Sequence, residues 1–148
     1  AIMTYLEQTQ PEPALWPSDP VTRARAVELA ELANSAIQPM QNSATLAHLQ
    51  ELGVDRKAWG AHYNLQGLAA MEAMAVELKS SLPDATFLTG PRLSVADLCL
   101  VPQLYSARRF DVDTASFPRL LEVEAACETH AAFIDAHPDR QPDAPPPQ

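Results

Sequence analysis

Apolar positions recur at helical spacing along most of this chain, and no stretch sustains the period-two alternation that a half-buried strand requires. The pattern predicts an all-α fold. Ile2, Tyr5 and Leu6 share one face of a short opening helix that stops before Pro11 and has no capping residue ahead of it, as though the chain begins within an element. Residues 10–17 hold Pro11, Pro13 and Pro17 without periodicity and read as a linker. Asp19-Pro20 then supplies a helix N-cap followed by proline at the first helical position, where its missing N–H costs nothing.

Beyond that cap, Leu29, Leu32, Ala33, Ala36, Ile37 and Met40 form a stripe about one helix face wide. Pro39 lies inside it and removes a backbone bond, which predicts a kink, a bent second half beginning over residues 38–45, and a cleft faced by Gln38, Gln41 and Asn42. Asp55 caps a third, long helix running to about Ser81, with Trp59, Leu65, Leu68, Ala69 and Val76 as its buried candidates. Gly67 in that helix costs about 1 kcal/mol relative to alanine, and a close helix crossing would account for it.

Residues 83–93 read as a loop. Ser94-Val95-Ala96-Asp97 then forms a capping box with Asp in place of Glu, flanked by Leu93 and Leu98 at the two staple positions. The helix it nucleates is expected to be buried and to reach about Phe110, although Pro102 must bend it or sacrifice a bond. Ser116 and Pro118 open another helix carrying Leu120, Leu121, Val123 and Cys127, and residues 131–137 form a last short one. The tail from Pro138 is expected to be extended.

With 148 residues and 16.1 kDa, the chain is long enough for one domain with a sizeable core. A net charge of −9 and a pI near 4.7 argue against nucleic-acid or anionic-membrane partners, so an anionic substrate needs a local basic pocket. Cys99 and Cys127 sit in apolar helical patterns, which points to a reducing compartment. No window has the 18 apolar residues of a membrane span, so a cytoplasmic protein is expected. His48, His62, His130 and His137 lack metal-ligand spacing, and no metal is expected. Ser94 and Asp97 have no histidine base placed by motif and read as structural. Trp59, Tyr63 and Phe110 read as core before they read as ligand-stacking rings.

The order of linker, proline-kinked helix, long partner helix and Gly90-Pro91-Arg92-Leu93-Ser94-Val95-Ala96-Asp97 resembles the C-terminal domain of cytosolic glutathione transferases. Three segments resemble the zeta class, the maleylacetoacetate and maleylpyruvate isomerases. They are residues 37–42 (Ile-Gln-Pro-Met-Gln-Asn), residues 96–103 with Ala107-Arg108-Arg109-Phe110 after them, and residues 137–143 (His-Pro-Asp-Arg-Gln-Pro-Asp). The resemblance spans essentially the whole chain. It implies that residues 1–9 end the last helix of a thioredoxin-like domain, 10–17 are the linker, 18–137 the helical domain and 138–148 the tail.

What the resemblance implies for function is glutathione-dependent cis–trans isomerisation of maleylacetoacetate or maleylpyruvate, in aromatic amino acid catabolism. Glutathione is the implied cofactor, a small dicarboxylic acid the substrate, and a homodimer the assembly. The groups that activate the thiol belong to the thioredoxin-like domain, so no catalytic residue is expected here. This chain alone is expected to be inactive and to supply the substrate-side wall. Matched position by position, Arg109 and, second to it, Arg108 take the substrate carboxylate, while Gln38, Asn42, Ser43 and Ala44 border glutathione. A small residue at Ala44 favours maleylacetoacetate over maleylpyruvate. The residues by themselves leave other readings open, with Arg109 a solvated cation at a helix end and Gln38 and Asn42 polar residues at a kink. The alternative for the whole chain is a non-catalytic helical interaction or dimerisation module.

Overall fold

A computed structural model describes residues 1–144; residues 145–148, the end of the proline-rich tail, lie outside the described residues. The elements run α1 (Ile2–Thr9), α2 (Pro20–Glu31), a π-helical turn (Leu32–Ile37), a 3-10 turn (Gln38–Gln41), α3 (Ser43–Glu51), α4 (Arg56–Ser81), α5 (Val95–Arg109), α6 (Pro118–Cys127) and α7 (Ala131–Asp135). Among the described residues no strand forms, and Phe87 and Gly90 make only an isolated bridge. No helix among them is long and apolar enough to cross a membrane.

Local chemistry sets the helix starts. The Asp19 carboxylate accepts from Thr22 N–H at 2.8 Å, and Asp55 accepts from Lys57 and Ala58 N–H at 2.8 and 3.1 Å, so each satisfies donors that the first turn leaves orphaned. α6 opens at Pro118, as expected, but Ser116 does not cap it. Phe117 occupies the N-cap with no side-chain bond, and the Glu72 carboxylate of α4 accepts from the Arg119 and Leu120 N–H groups, both at 3.0 Å. A tertiary partner does there what a local hydroxyl does elsewhere.

The core gathers around α5, which packs against α2, α4 and α6. Val95, Ala96, Cys99, Leu100, Leu104 and Ala107 of α5 meet Leu29, Ala33 and Ile37, Leu68 and Met71, and Leu120 and Val123. Pro102 leaves α5 continuous, and the proline itself is exposed. On α4 the buried set is Gly60, Asn64, Gly67, Leu68, Met71 and Ala75. Leu65, Ala69 and Val76, expected in the core, are exposed, because the face turned inward is the one whose small residues permit close approach. A Cβ on Gly67 would stand 2.3 Å from Ile37 Cγ1, so the crossing inferred from the sequence is real and tight.

Asp97 ties the start of α5 to the preceding loop. Its Oδ2 accepts from Ser94 N–H at 2.8 Å and from the Ser94 hydroxyl at 2.9 Å, and its Oδ1 accepts from Leu88 N–H at 2.9 Å. Arg119 grips the same loop from α6, donating to Ala85 and Phe87 carbonyls at 3.1 and 2.9 Å. Near the chain end, Pro138–Arg140 winds into a 3-10 turn and is not extended. The Tyr105 hydroxyl donates to Asp139 at 2.9 Å, and Gln141 Nε2 donates to Asp135 and His137 carbonyls, so side-chain bonds hold a segment whose prolines forbid a longer helix.

Candidate functional site

The kink is built from two irregular turns. The π winding of Leu32–Ile37 carries the Gln38 N–H to the Ala33 carbonyl, and Pro39, having no N–H, passes the chain into the 3-10 turn. Asn42 then starts α3, its Oδ1 accepting from Ala44 N–H at 3.0 Å. Trp59 secures the bend from α4 by donating its indole N–H to the Met40 carbonyl at 3.0 Å, and its ring lies 4.9 Å from that of Tyr63. Trp59 is thereby a brace for the kink.

Between the kink, the first turns of α3 and α4 and the last turn of α5 lies a cavity of about 560 Å³. Gln38, Gln41, Ser43, Leu46, Arg56, Lys57, Ser106, Arg109 and Phe110 line it. Three of these are cations and none is a carboxylate. In a chain of net charge −9 this local cluster of cations is chemically suited to an anionic ligand. Lys57 is paired with Asp111, and Arg56 Nη1 donates to Gln50 Oε1 at 3.1 Å. No side-chain partner holds the Arg109 guanidinium among the hydrogen bonds and ion pairs of the described residues. A second cavity, of about 460 Å³, lies between the linker and the loop before α5, where Arg92 shares the lining with Asp19 and Asp84. That mixture suits an anion less well.

Beneath the cationic pocket runs a line of side-chain amides. Gln38 Nε2 donates to Gln103 Oε1 at 2.8 Å, Gln103 Nε2 donates to Asn64 Oδ1, and Asn64 Nδ2 donates both to Gln41 Oε1 and to the Gly60 carbonyl at 2.8 Å. The Ser106 hydroxyl lies 3.2 Å from the same Gln41 oxygen. Gln103 and Asn64 are fully buried, yet both are hydrogen-bonded as buried amides must be. Phe110 closes the end of the pocket; a Cβ on Gly60 would stand 2.2 Å from its ring, so that glycine is what lets the ring lie there.

The residues singled out from the sequence divide. Gln38, Ser43 and Arg109 come together in the pocket, whereas Arg108, Asn42 and Ala44 are not among its lining. Arg108 turns to α6 and holds both oxygens of the nearly buried Glu124 in a bidentate pair, a commitment that removes its fork from any substrate and raises its pKa. The Asn42 side-chain oxygen is spent on the α3 cap. The roles of Gln103 and Asn64 are not legible in the sequence, since a single polar residue inside a helix reads as solvated face.

No protein-family model matches the chain. It is 41% identical over 146 residues to a probable maleylacetoacetate isomerase of Drosophila melanogaster, covering 99% of this chain and 61% of the fly protein. The chain thus spans about three fifths of that curated relative's length. Among solved structures, a maleylacetoacetate isomerase of Anaeromyxobacter dehalogenans with dicarboxyethyl glutathione and citrate in its active site superposes with a TM-score of 0.89 at 44% identity, over 99% of this chain and 64% of that one. A bacterial zeta-class maleylpyruvate isomerase in its holo form gives a TM-score of 0.90 at 36% identity, over 97% of this chain and 68% of that one. With its all-helical architecture, its kinked helix and a likeness this close over nearly every residue, the chain belongs to the zeta-class glutathione transferases, the maleylacetoacetate and maleylpyruvate isomerase family, as their C-terminal helical domain.

Proposed function

We propose that the protein carrying this chain isomerises the cis double bond of maleylacetoacetate or maleylpyruvate with glutathione, and that this chain forms the wall that holds the substrate's carboxylate. The observation that carries the reading is the cationic, carboxylate-free pocket at the kink of an otherwise anionic domain. The bound dicarboxyethyl glutathione and citrate of the Anaeromyxobacter relative are chemically in keeping with it.

The residues present suit glutathione and a dicarboxylic acid, since both are anions rich in hydrogen-bonding groups and the pocket offers amides, two hydroxyls and cations. Glutathione, when bound, supplies the thiolate that adds to the conjugated alkene and leaves again once the bond has rotated. Arg109 presents a planar fork able to take a carboxylate bidentately, which orients the alkene and withdraws charge from its conjugated end. Gln38 and Ser43 add polar groups to the lining of the same cavity, and Leu46 and Phe110 add apolar surface that displaces water. Maleylacetoacetate is the preferred substrate in this reading, because the resemblance associates a small residue such as Ala44 with that substrate, and the working form is a cytoplasmic homodimer.

Steady-state kinetics of Arg109→Ala in the intact protein test the assignment. The KM for the dicarboxylic substrate is expected to rise at least tenfold, about 1.4 kcal/mol of lost binding, with the KM for glutathione nearly unchanged. Equal rises in both would assign Arg109 to folding and remove it from the site.

A further inference from the structure

We infer that Asn64 and Gln103 are positioning residues that fix which end of each pocket amide faces the ligand, so that Gln41 presents a donor to the substrate carboxylate and Gln38 presents an acceptor. The inference rests on the reading of this pocket as the carboxylate site and extends it to residues that touch no ligand.

A side-chain amide has a donor end and an acceptor end of nearly equal size, and an isolated glutamine turns either one to a partner. Here the choice is removed at one point. The Gly60 carbonyl, a main-chain oxygen inside α4, can only accept, and it lies 2.8 Å from the Asn64 amide. The end of Asn64 that faces it must therefore be the NH2 group. The second hydrogen of that group goes to Gln41, at 2.8 Å, so the Gln41 end turned inward must be its oxygen. The Asn64 oxygen in turn demands a donor from Gln103, and the Gln103 oxygen demands one from Gln38, at 2.8 Å.

The directions propagate outward without ambiguity. Gln41 is left with its NH2 group toward the cavity, beside the Arg109 that lines the same space. Gln38 is left with its carbonyl oxygen, which suits a ligand N–H such as a peptide amide or an ammonium. Because Asn64 and Gln103 are fully buried, reversing any one amide would set two oxygens or two NH2 groups face to face where no water relieves them. The backbone of α4 thus sets the polarity of a pocket two side chains away, and it does so before any ligand arrives.

Side-chain amide NMR on the intact, 15N-labelled protein, with fumarate as the dicarboxylate probe, tests this. In the free protein the Asn64 and Gln103 NH2 protons are expected to exchange slowly with water. Titration is expected to shift the Gln41 NH2 and the Arg109 Nε signals together while leaving the Gln38 NH2 signal in place. Gln103→Met should release the Gln38 amide to fast exchange without disturbing the Gln41 response, a split that loss of packing alone would not produce. Asn64→Asp should abolish the Gln41 response. Should either variant fail to fold, the wild-type titration still decides. Saturation at Arg109 with Gln38 shifting and Gln41 silent overturns the polarity while leaving the carboxylate site standing, whereas no saturable shift at any of the three overturns the site and the inference together.

Discussion

Arg108 and Arg109 are neighbours in sequence, and one step of about 100° round α5 sends the first fork to Glu124 and the second to the pocket. Their substitutions should separate accordingly. Arg108→Ala leaves the nearly buried Glu124 carboxylate without its partner. Since the Arg108 side chain is 43% exposed, solvent screening reduces the cost to about 1–2 kcal/mol. Thermal melts should show a loss of a few degrees with the substrate KM unmoved, the reverse of the Arg109 result. Asp97 offers a second contrast. Burial holds its carboxyl above the ordinary aspartate range, against the opposing pull of the Leu88 and Ser94 N–H groups. A group with a raised pKa binds its proton more tightly folded than unfolded, so its share of stability is greatest in acid and declines as pH rises through the folded-state value. Asp97→Asn should therefore be more costly at about pH 3.5 than at about pH 6 in paired urea titrations. A constant difference between the two proteins would contradict that sign.

At the scale of elements, the starts and bends were open to reading because each is written in a few adjacent residues. Asp19-Pro20, Asp55, Ser94 with Asp97, and Pro39 each act within one turn, and each is found where its chemistry places it. Burial on α4 was not open in the same way. Leu65, Ala69 and Val76 are apolar enough for a core, but the helix turns its glycine, asparagine and methionine face inward, and only the crossing partners decide that. The α6 start is marked by Pro118, but its capping group is not legible for a related reason, since Glu72 lies 47 residues from the N–H it caps. The pocket shows both sides of this limit. Gln38 and Arg109 belong to recognisable segments, while Gln103 and Asn64 acquire meaning only through contacts 65 and 39 residues apart in sequence. The crossing at Gly67 gives a direct check. Gly67→Ala should cost about 1–3 kcal/mol in denaturant unfolding, because fully buried Ile37 has no room to yield; a neutral or stabilising result would mean that the two helices separate easily.

On the scale of the whole molecule, charge and burial are distributed so that cations concentrate at one cavity while the chain as a whole is anionic. The two thiols follow a different rule. Cys127 is fully buried, and desolvation, helped by nearby Asp97, Glu124 and Glu128, pushes its thiol up to about 12; burial raises that of Cys99 as well. At neutral pH both are therefore held as thiols within helix packing, and iodoacetamide at about pH 8 should label Cys127 only after unfolding, as intact mass would show. The consequence reaches the proposed chemistry. A conjugated cis-alkene is an alkylating agent for any accessible thiolate, and an enzyme that concentrates such a molecule courts its own inactivation. With its sulfur protonated and out of reach, this domain adds no thiolate of its own to compete with glutathione for such a reagent under the proposed function.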